Sequence, residues 1–321
     1  MSVSLFARIR ADAARVCRDA RFVTIDHEAI PAYAARCDVA ALAAPAHDPA
    51  SHYLGHGVDT AHFFLVLDAV NFGSGYFPHL RKLPGKSGYF TIATRLAAHF
   101  AGEGPLGADA LAVMTPGDAA RLFRQDADDP VVMELMGLFA RALRDLGELL
   151  RRDYGGSALA LIEAAGGSAE ALCRDLARME LFRDEQPYAT GPAAFYKRAQ
   201  LTAADLAVAF GGKGPGRFRD LEYLTVFADN LVPHVLRLDG ILKLEAGLEA
   251  RIAAGEPLEK DSPQEVEMRA ATVRVVELLA AELGRRGVRA TPLRLDFLLW
   301  NKGQRPAYKA IPRPRCRTWF Y

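Results

Sequence analysis

Cysteine is scarce in this 321-residue chain, and Cys17, Cys37, Cys173 and Cys316 share no C-x-x-C spacing. That argues against a zinc site or a disulfide framework, and a reducing cytosol fits best. An excess of one charge is also lacking: 40 Lys and Arg face 39 Asp and Glu, for a formal net charge of +1. Proteins that grip long nucleic acid carry a basic surplus, because phosphate neutralisation dominates that affinity. The balance favours a small substrate over duplex DNA or tRNA. No apolar run reaches the roughly 18 residues that mark a membrane span. Arg8 and Arg10 interrupt the N-terminus at once, which is unlike a signal peptide. These features predict a cytoplasmic protein with no membrane partner. With 50% hydrophobic residues, the chain can build one large core or two smaller ones.

Alternating β-branched runs are scarce too, and the periodicity is helical almost throughout. Leu5, Ile9, Ala13, Val16 and Cys17 share one face of a helix over 3–18, with arginines opposite. Residues 59–72 form a strongly apolar helix with Asp59 as its expected N-cap. Residues 130–152 form a long amphipathic helix opened by Pro130, a favoured first-turn residue. Further helices are expected at 116–125, 157–165, 168–179, 193–210, 223–238, 242–254, 263–286 and 293–301. Thr24-Ile25-Asp26 and Gly88-Tyr89-Phe90-Thr91 read as short strand or turn pieces. Loops are expected at Ala44–Ala50, Gly211–Gly216 and Lys302–Pro314, among others. The fold class is all-α. An N-terminal half (1–180) and a C-terminal half (181–321) are expected to pack as one unit, with the site in the cleft between them.

One phrase stands out for chemistry. Phe227-Ala228-Asp229-Asn230-Leu231-Val232-Pro233 sets a carboxylate in an apolar run. Such a group is expensive to bury unless something pairs with it, and is usually kept for chemistry or for a polar ligand. It follows the turn Gly211-Gly212-Lys213-Gly214-Pro215-Gly216, which joins two predicted helices. That layout matches a helix-hairpin-helix of the DNA-glycosylase kind, with an aspartate shortly downstream; a plain capped helix and loop is the alternative. The turn is no phosphate-binding P-loop, since G-x-x-x-x-G-K-[S/T] is missing. Asp296 and Trp300 lie four apart, hence on one helix face. Asp68 and Asn71 are neighbours three apart. Gly73, Ser74 and Gly75 are small enough to let a planar ligand approach the backbone. His52, His56 and His62 form no metal triad with any partner, so no metal and no cofactor are expected.

Taken in order, Asn71-Phe72, Phe195-Tyr196-Lys197-Arg198-Ala199-Gln200, the Asp229 phrase, Glu265-Val266-Glu267-Met268-Arg269, Leu295-Asp296-Phe297-Leu298-Leu299-Trp300 and Arg315-Cys316-Arg317-Thr318-Trp319-Phe320-Tyr321 resemble the queuosine salvage protein family. The resemblance spans roughly 55 to 321. It implies hydrolysis of the N-glycosidic bond of queuosine 5′-monophosphate, releasing queuine for tRNA modification. Asp229 would be the catalytic carboxylate, stabilising an oxocarbenium-like ribose and positioning water. Asn71, Phe72, Phe227, Asp296 and Trp300 would hold the base, with Ser74 and Tyr76 beside them. Lys197, Arg315, Arg317 and Tyr321 would hold the phosphate. Glu265, Glu267 and Arg269 read instead as a structural ion-pair ridge, and Arg198 and Asp205 likewise. The chain departs from the family pattern at Asn230-Leu231, at Gly75-Tyr76 and at Pro314. A nucleic-acid base glycosylase and a non-catalytic deazapurine-binding protein are the alternatives.

Overall fold

The computed structural model describes residues 3–42 and 45–321. Met1 and Ser2, the start of the expected signal-free N-terminus, lie outside the described residues, as does Ala44 of the expected Ala44–Ala50 loop. Helices dominate the described chain, and strand is confined to two short antiparallel pairs. One pair joins Val23–Ile25 to Leu242–Leu244, near opposite ends of the chain. The other joins Glu185–Gln186 to Ala193–Ala194.

The expected periodicities become helices for identifiable reasons. Pro130–Asp153 starts at a proline whose missing N–H costs nothing in the first turn. Asp129 caps it, its Oδ1 accepting from Val131 N (2.8 Å) and Val132 N (3.2 Å). Val132, Leu135, Met136, Phe139, Leu143, Leu146 and Leu150 form its buried stripe. Each such side chain contributes about 1.5–3 kcal/mol by leaving water. Val58–Ala69 is apolar on nearly every face and accordingly runs through the interior. Its N-cap is Gly57; Asp59, the expected cap, lies within the first turn.

Pro263–Arg285 supplies a second long axis, capped by Ser262 and packed along Leu5–Arg18. Buried apolar side chains form one cluster that extends from Leu5 to Tyr321.

Further expectations fail: 242–254 opens as the strand Leu242–Leu244 before the helix Ala246–Ala253, and the expected loop 302–314 contains the short helix Pro306–Lys309. Gly88-Tyr89-Phe90-Thr91 is no strand piece; it opens the helix Gly88–Gly102, with Ser87 Oγ accepting from Phe90 N. The helix-hairpin-helix is not built either. Lys197–Ala209 does end at the glycine turn, but single 3₁₀ turns follow at Gly214–Gly216 and Leu221–Tyr223. Residues 224–230 are then irregular, and helix resumes only at Val232–Leu238. Asp229 therefore sits on a loop at a helix entrance.

Candidate active site

A cavity of about 790 Å³ collects residues from distant parts of the chain. The end of Val58–Ala69 and the loop after it supply Asn71, Phe72 and Ser74. Lys197–Ala209 supplies Lys197 and Asp205, and Pro292–Gly303 supplies Asp296 and Trp300. Phe227 and Asp229 come from the irregular segment, Arg313 and Arg315 from the C-terminal run, and Tyr321 from the last position.

Asp229 is half-buried. Its Oδ1 accepts from Leu231 N (2.7 Å) and Val232 N (3.0 Å), so the carboxylate caps the helix it precedes. Two residues earlier, Phe227 N donates to Asp296 Oδ1 at 3.0 Å. This bond fastens the segment to the Pro292–Gly303 helix. Burial pushes the Asp296 carboxyl well above the ordinary range, and the charge of Asp229 pushes it further. Two acidic groups of the cavity thus bear on each other, and the shift of Asp296 disfavours its charged form. Trp300, one turn along, packs edge-on against Tyr89 (5.9 Å) and Phe90 (5.8 Å).

Lys197 begins its helix after Tyr196, which adopts a left-handed φ of 50°. Its backbone N donates to Asp184 Oδ2 (2.9 Å), and its Nζ reaches Asn71 O at 3.4 Å. Burial lowers its pKa, while Asp229 and then Asp68 oppose that fall. The ammonium is enclosed by carboxyl groups.

Asp205, also on the Lys197–Ala209 helix, forms a carboxyl pair with Asp68. Burial raises Asp205 to about 7, against the opposing pull of Lys197. Asp68 is raised as well, by burial and then by Asp205. Asp68 Oδ1 accepts from Asn71 Nδ2 at 3.3 Å, whereas its buried Oδ2 lacks a donor from any neutral group. Nearby Thr202 already donates its hydroxyl proton to Arg198 O. Burial thus disfavours the charged form of both acids of the pair.

The rim is basic. Burial lowers Arg313 to about 10; Arg315 adds to the fall and Asp229 opposes it. Lys82 is depressed by its own burial and by the charges of Arg315 and Arg313. Arg315 Nη1 donates to Ser74 O at 3.4 Å. Ser74 Oγ is buried without a partner and lines the cavity, so a ligand can supply one.

Most of the residues singled out from the sequence converge: Asn71, Phe72, Ser74, Lys197, Phe227, Asp229, Asp296, Trp300, Arg315 and Tyr321 all line the cavity. Phe72 is chiefly a core residue, edge-on to Phe139 and beneath the Arg198 guanidinium. Tyr76 and Arg317 do not line the cavity. Tyr76 OH donates to Glu134 (2.6 Å), and Arg317 pairs with the same carboxylate at 3.6 Å. Gly73 and Gly75 make room for protein: a Cβ on Gly75 would lie 2.2 Å from Cys316 O, and one on Gly73 2.5 Å from Leu135.

Lys82, Arg313, Tyr89 and Phe90 also line the cavity, and the sequence had not marked them. Asp205, grouped with structural ion pairs, lines it too. The Arg313-Pro314-Arg315 alternation was the one local signal for the rim.

Among the described residues no His, Cys, Asp and Glu group has metal-site geometry, and no helix is long and apolar enough to cross a membrane.

The model of the family described as queuosine salvage protein matches residues 51–321. A Sphaerobacter thermophilus protein called queuosine 5′-phosphate N-glycosylase/hydrolase is 37% identical over 312 residues, 96% of this chain and 95% of its own. A Dictyostelium discoideum protein of the same name is 31% identical over 265 residues, covering 82% and 78%. A Mus musculus protein, again so named, is 34% identical over 210 residues, 62% of each chain.

Proposed function

Because the chain belongs to the queuosine salvage protein family, we propose that it hydrolyses the N-glycosidic bond of queuosine 5′-monophosphate and releases queuine. The observation that carries this reading is a half-buried carboxylate, Asp229, sharing one cavity with the buried acid Asp296 and a basic rim. Such a site suits a reaction that develops positive charge on a sugar carrying a phosphate.

In the reaction the C1′–N bond breaks and its electron pair leaves with the base. The oxygen of water bonds to C1′, one water proton passes to a carboxylate and then to solvent, and the departing base anion takes a proton from solvent. Asp229 faces the developing ribose cation. At about 4 Å and an effective dielectric of about 20, a carboxylate stabilises such a charge by roughly 4 kcal/mol, or about a thousandfold in rate. Its Oδ1 is fixed by two backbone N–H groups, which leaves Oδ2 to orient the water.

The leaving base is a 7-deazaguanine with carbon where purines carry N7, so protonation at that edge is closed. Asp296 contacts the base through its second oxygen, because Phe227 N occupies the first. Asn71, Phe227 and Trp300 complete the base site. Arg313, Arg315 and Lys82 take the phosphate. Lys197, lining the same cavity with its Nζ against Asn71 O, adds a cation near Asp229 and Asp68.

Incubating the purified protein with queuosine 5′-monophosphate and following free queuine by chromatography tests the reading. Queuine release supports it. Failure to release queuine from either this nucleotide or queuosine itself overturns it, and binding without release would leave a deazapurine-binding protein.

A further inference from the structure

The arginines of the cavity rim sit on a strap, residues 308–315, that lacks regular structure after Lys309. Pro312 and Pro314 flank Arg313 and cannot donate a backbone hydrogen bond. Lys309, Ala310, Ile311 and Pro312 face solvent. Besides Leu258 N, which donates to Arg315 O (2.7 Å), and Tyr308 OH, which donates to Asp239 Oδ1 (2.6 Å), the strap is held by a row of side chains from Asn230 and the adjoining Val232–Leu238 helix.

His234 Nε2 donates to Tyr308 O at 2.9 Å. Arg237 Nη2 donates to Pro312 O at 2.8 Å. Asn230 Nδ2 donates to Pro314 O at 2.8 Å. Positions 230, 234 and 237 follow the spacing of one helix face, and they take three carbonyls along the strap. The same helix is capped by Asp229. One short element thus carries the carboxylate at its entrance and the strap along its side.

His234 is the centre of this row. It is buried and does not line the cavity. Its two partners fix its tautomer. Tyr308 O can only accept, so Nε2 carries the hydrogen. Arg237 Nη2 can only donate, so Nδ1 accepts, at 3.2 Å. Burial, with Arg237 and Arg313 adding to it, lowers His234 to about 4, so the ring stays neutral near neutral pH. Arg237 is itself anchored by Glu249 at 2.6 Å. The ring therefore links a fixed arginine to the start of the strap.

We propose that His234 is a positioning residue that sets the reach of Arg313 and Arg315, and so the preference for a 5′-phosphorylated substrate over the bare nucleoside. The proposal rests on the assignment of the rim to the phosphate made above. His234 acts through the strap and touches neither the base nor the ribose.

The test compares His234→Leu and His234→Gln with wild type on queuosine 5′-monophosphate and on queuosine. A glutamine amide has both a donor for Tyr308 O and an acceptor for Arg237; leucine has neither. For His234→Leu the expected result is a rise of about tenfold in KM for the nucleotide, the size of one lost positioning hydrogen bond. KM for the nucleoside and both kcat values stay within about twofold. Inhibition by ribose 5-phosphate weakens by the same tenfold, and His234→Gln restores both.

An equal loss on nucleotide and nucleoside, in a variant that keeps the wild-type Tm, overturns the proposal. So does a His234→Gln variant that folds normally yet behaves like leucine. Arg313→Ala separates this from failure of the phosphate assignment. If Arg313→Ala leaves the nucleotide KM unchanged, the assignment itself is wrong and the proposal falls with it. A wild type that cleaves neither substrate refutes the proposed function as well.

Discussion

Replacing Arg269 with Met removes the one cation that ties the Asp229 segment to the Lys197 segment. The guanidinium is buried, with 1% of its side chain exposed, and its partner Asp184 shows 3%. Arg269 Nη1 donates to Asp184 Oδ1 (2.7 Å) and Gln186 Oε1 (2.6 Å), Nη2 to Asp184 Oδ2 (2.6 Å), and Nε to Ala228 O (2.9 Å). It also lies over the Phe195 ring at 4.1 Å. Without it, the Asp184 carboxylate is left with the backbone N–H of Lys197. Breaking a buried pair from one side costs about 3–5 kcal/mol, because a charge is left buried without compensation. For a chain of this size that lowers Tm by roughly 10 °C. Urea denaturation gives the free energy, and queuine release gives kcat. We expect kcat to fall as well, since Ala228 precedes Asp229 and loses its anchor. The double variant Arg269→Met/Asp184→Leu should be less destabilised than the sum of the two single changes, because no unpaired charge remains. A loss below about 1 kcal/mol, or strict additivity in the double variant, would refute the reasoning.

Gly75→Ala should destabilise the protein by about 1–3 kcal/mol, because the new Cβ would lie 2.2 Å from the backbone oxygen of Cys316. An unchanged Tm would contradict this close approach. The Asp205 carboxyl is raised to about 7 by burial, against the pull of Lys197. The folded protein therefore holds a proton that the unfolded chain releases near pH 4, so this group's stabilising contribution is present below about pH 4 and lost as pH rises towards 7. His52 and His234, each lowered to about 4 by burial, work in the opposite sense over about pH 4 to 6.5 and flatten the wild-type profile. Asp205→Asn isolates the carboxyl: its Tm relative to wild type should improve between pH 5 and pH 7.5, and a constant difference would contradict the raised Asp205 carboxyl.

Long amphipathic helices were legible because their period is local. Pro130–Asp153 and Pro263–Arg285 carry their stripes, prolines and caps within a few residues. The segment 223–231 misled for the opposite reason. Its apolar residues read as helix, but distant partners hold it irregular. Gln200 exchanges hydrogen bonds with Thr225, accepting from its N at 2.8 Å and donating to its Oγ1 at 2.9 Å. Asp296 takes Phe227 N, and Asp229 caps the next helix. Gly88–Gly102 was missed because Tyr89, Phe90, Thr91 and Ile92 favour strands, and this outweighed the Ser87 cap.

The site divides in the same way. Asp229 stood out as a charge in an apolar run and Asp296 by its spacing to Trp300, whereas Lys197 was marked through the family resemblance. Lys82, Arg313 and Asp205 meet only through the fold. Arg317 shared the basic signature of Arg315, but it lies outside the cavity lining, beside Glu134.

The most direct test of the account is Asp229→Asn, which keeps the size of the side chain and an oxygen able to cap the helix while removing the charge. Queuine release from queuosine 5′-monophosphate and equilibrium binding of queuine are measured on the same preparation. The account predicts a fall of about a thousandfold in kcat, with binding within a few-fold of wild type. Release at near the wild-type rate would contradict it.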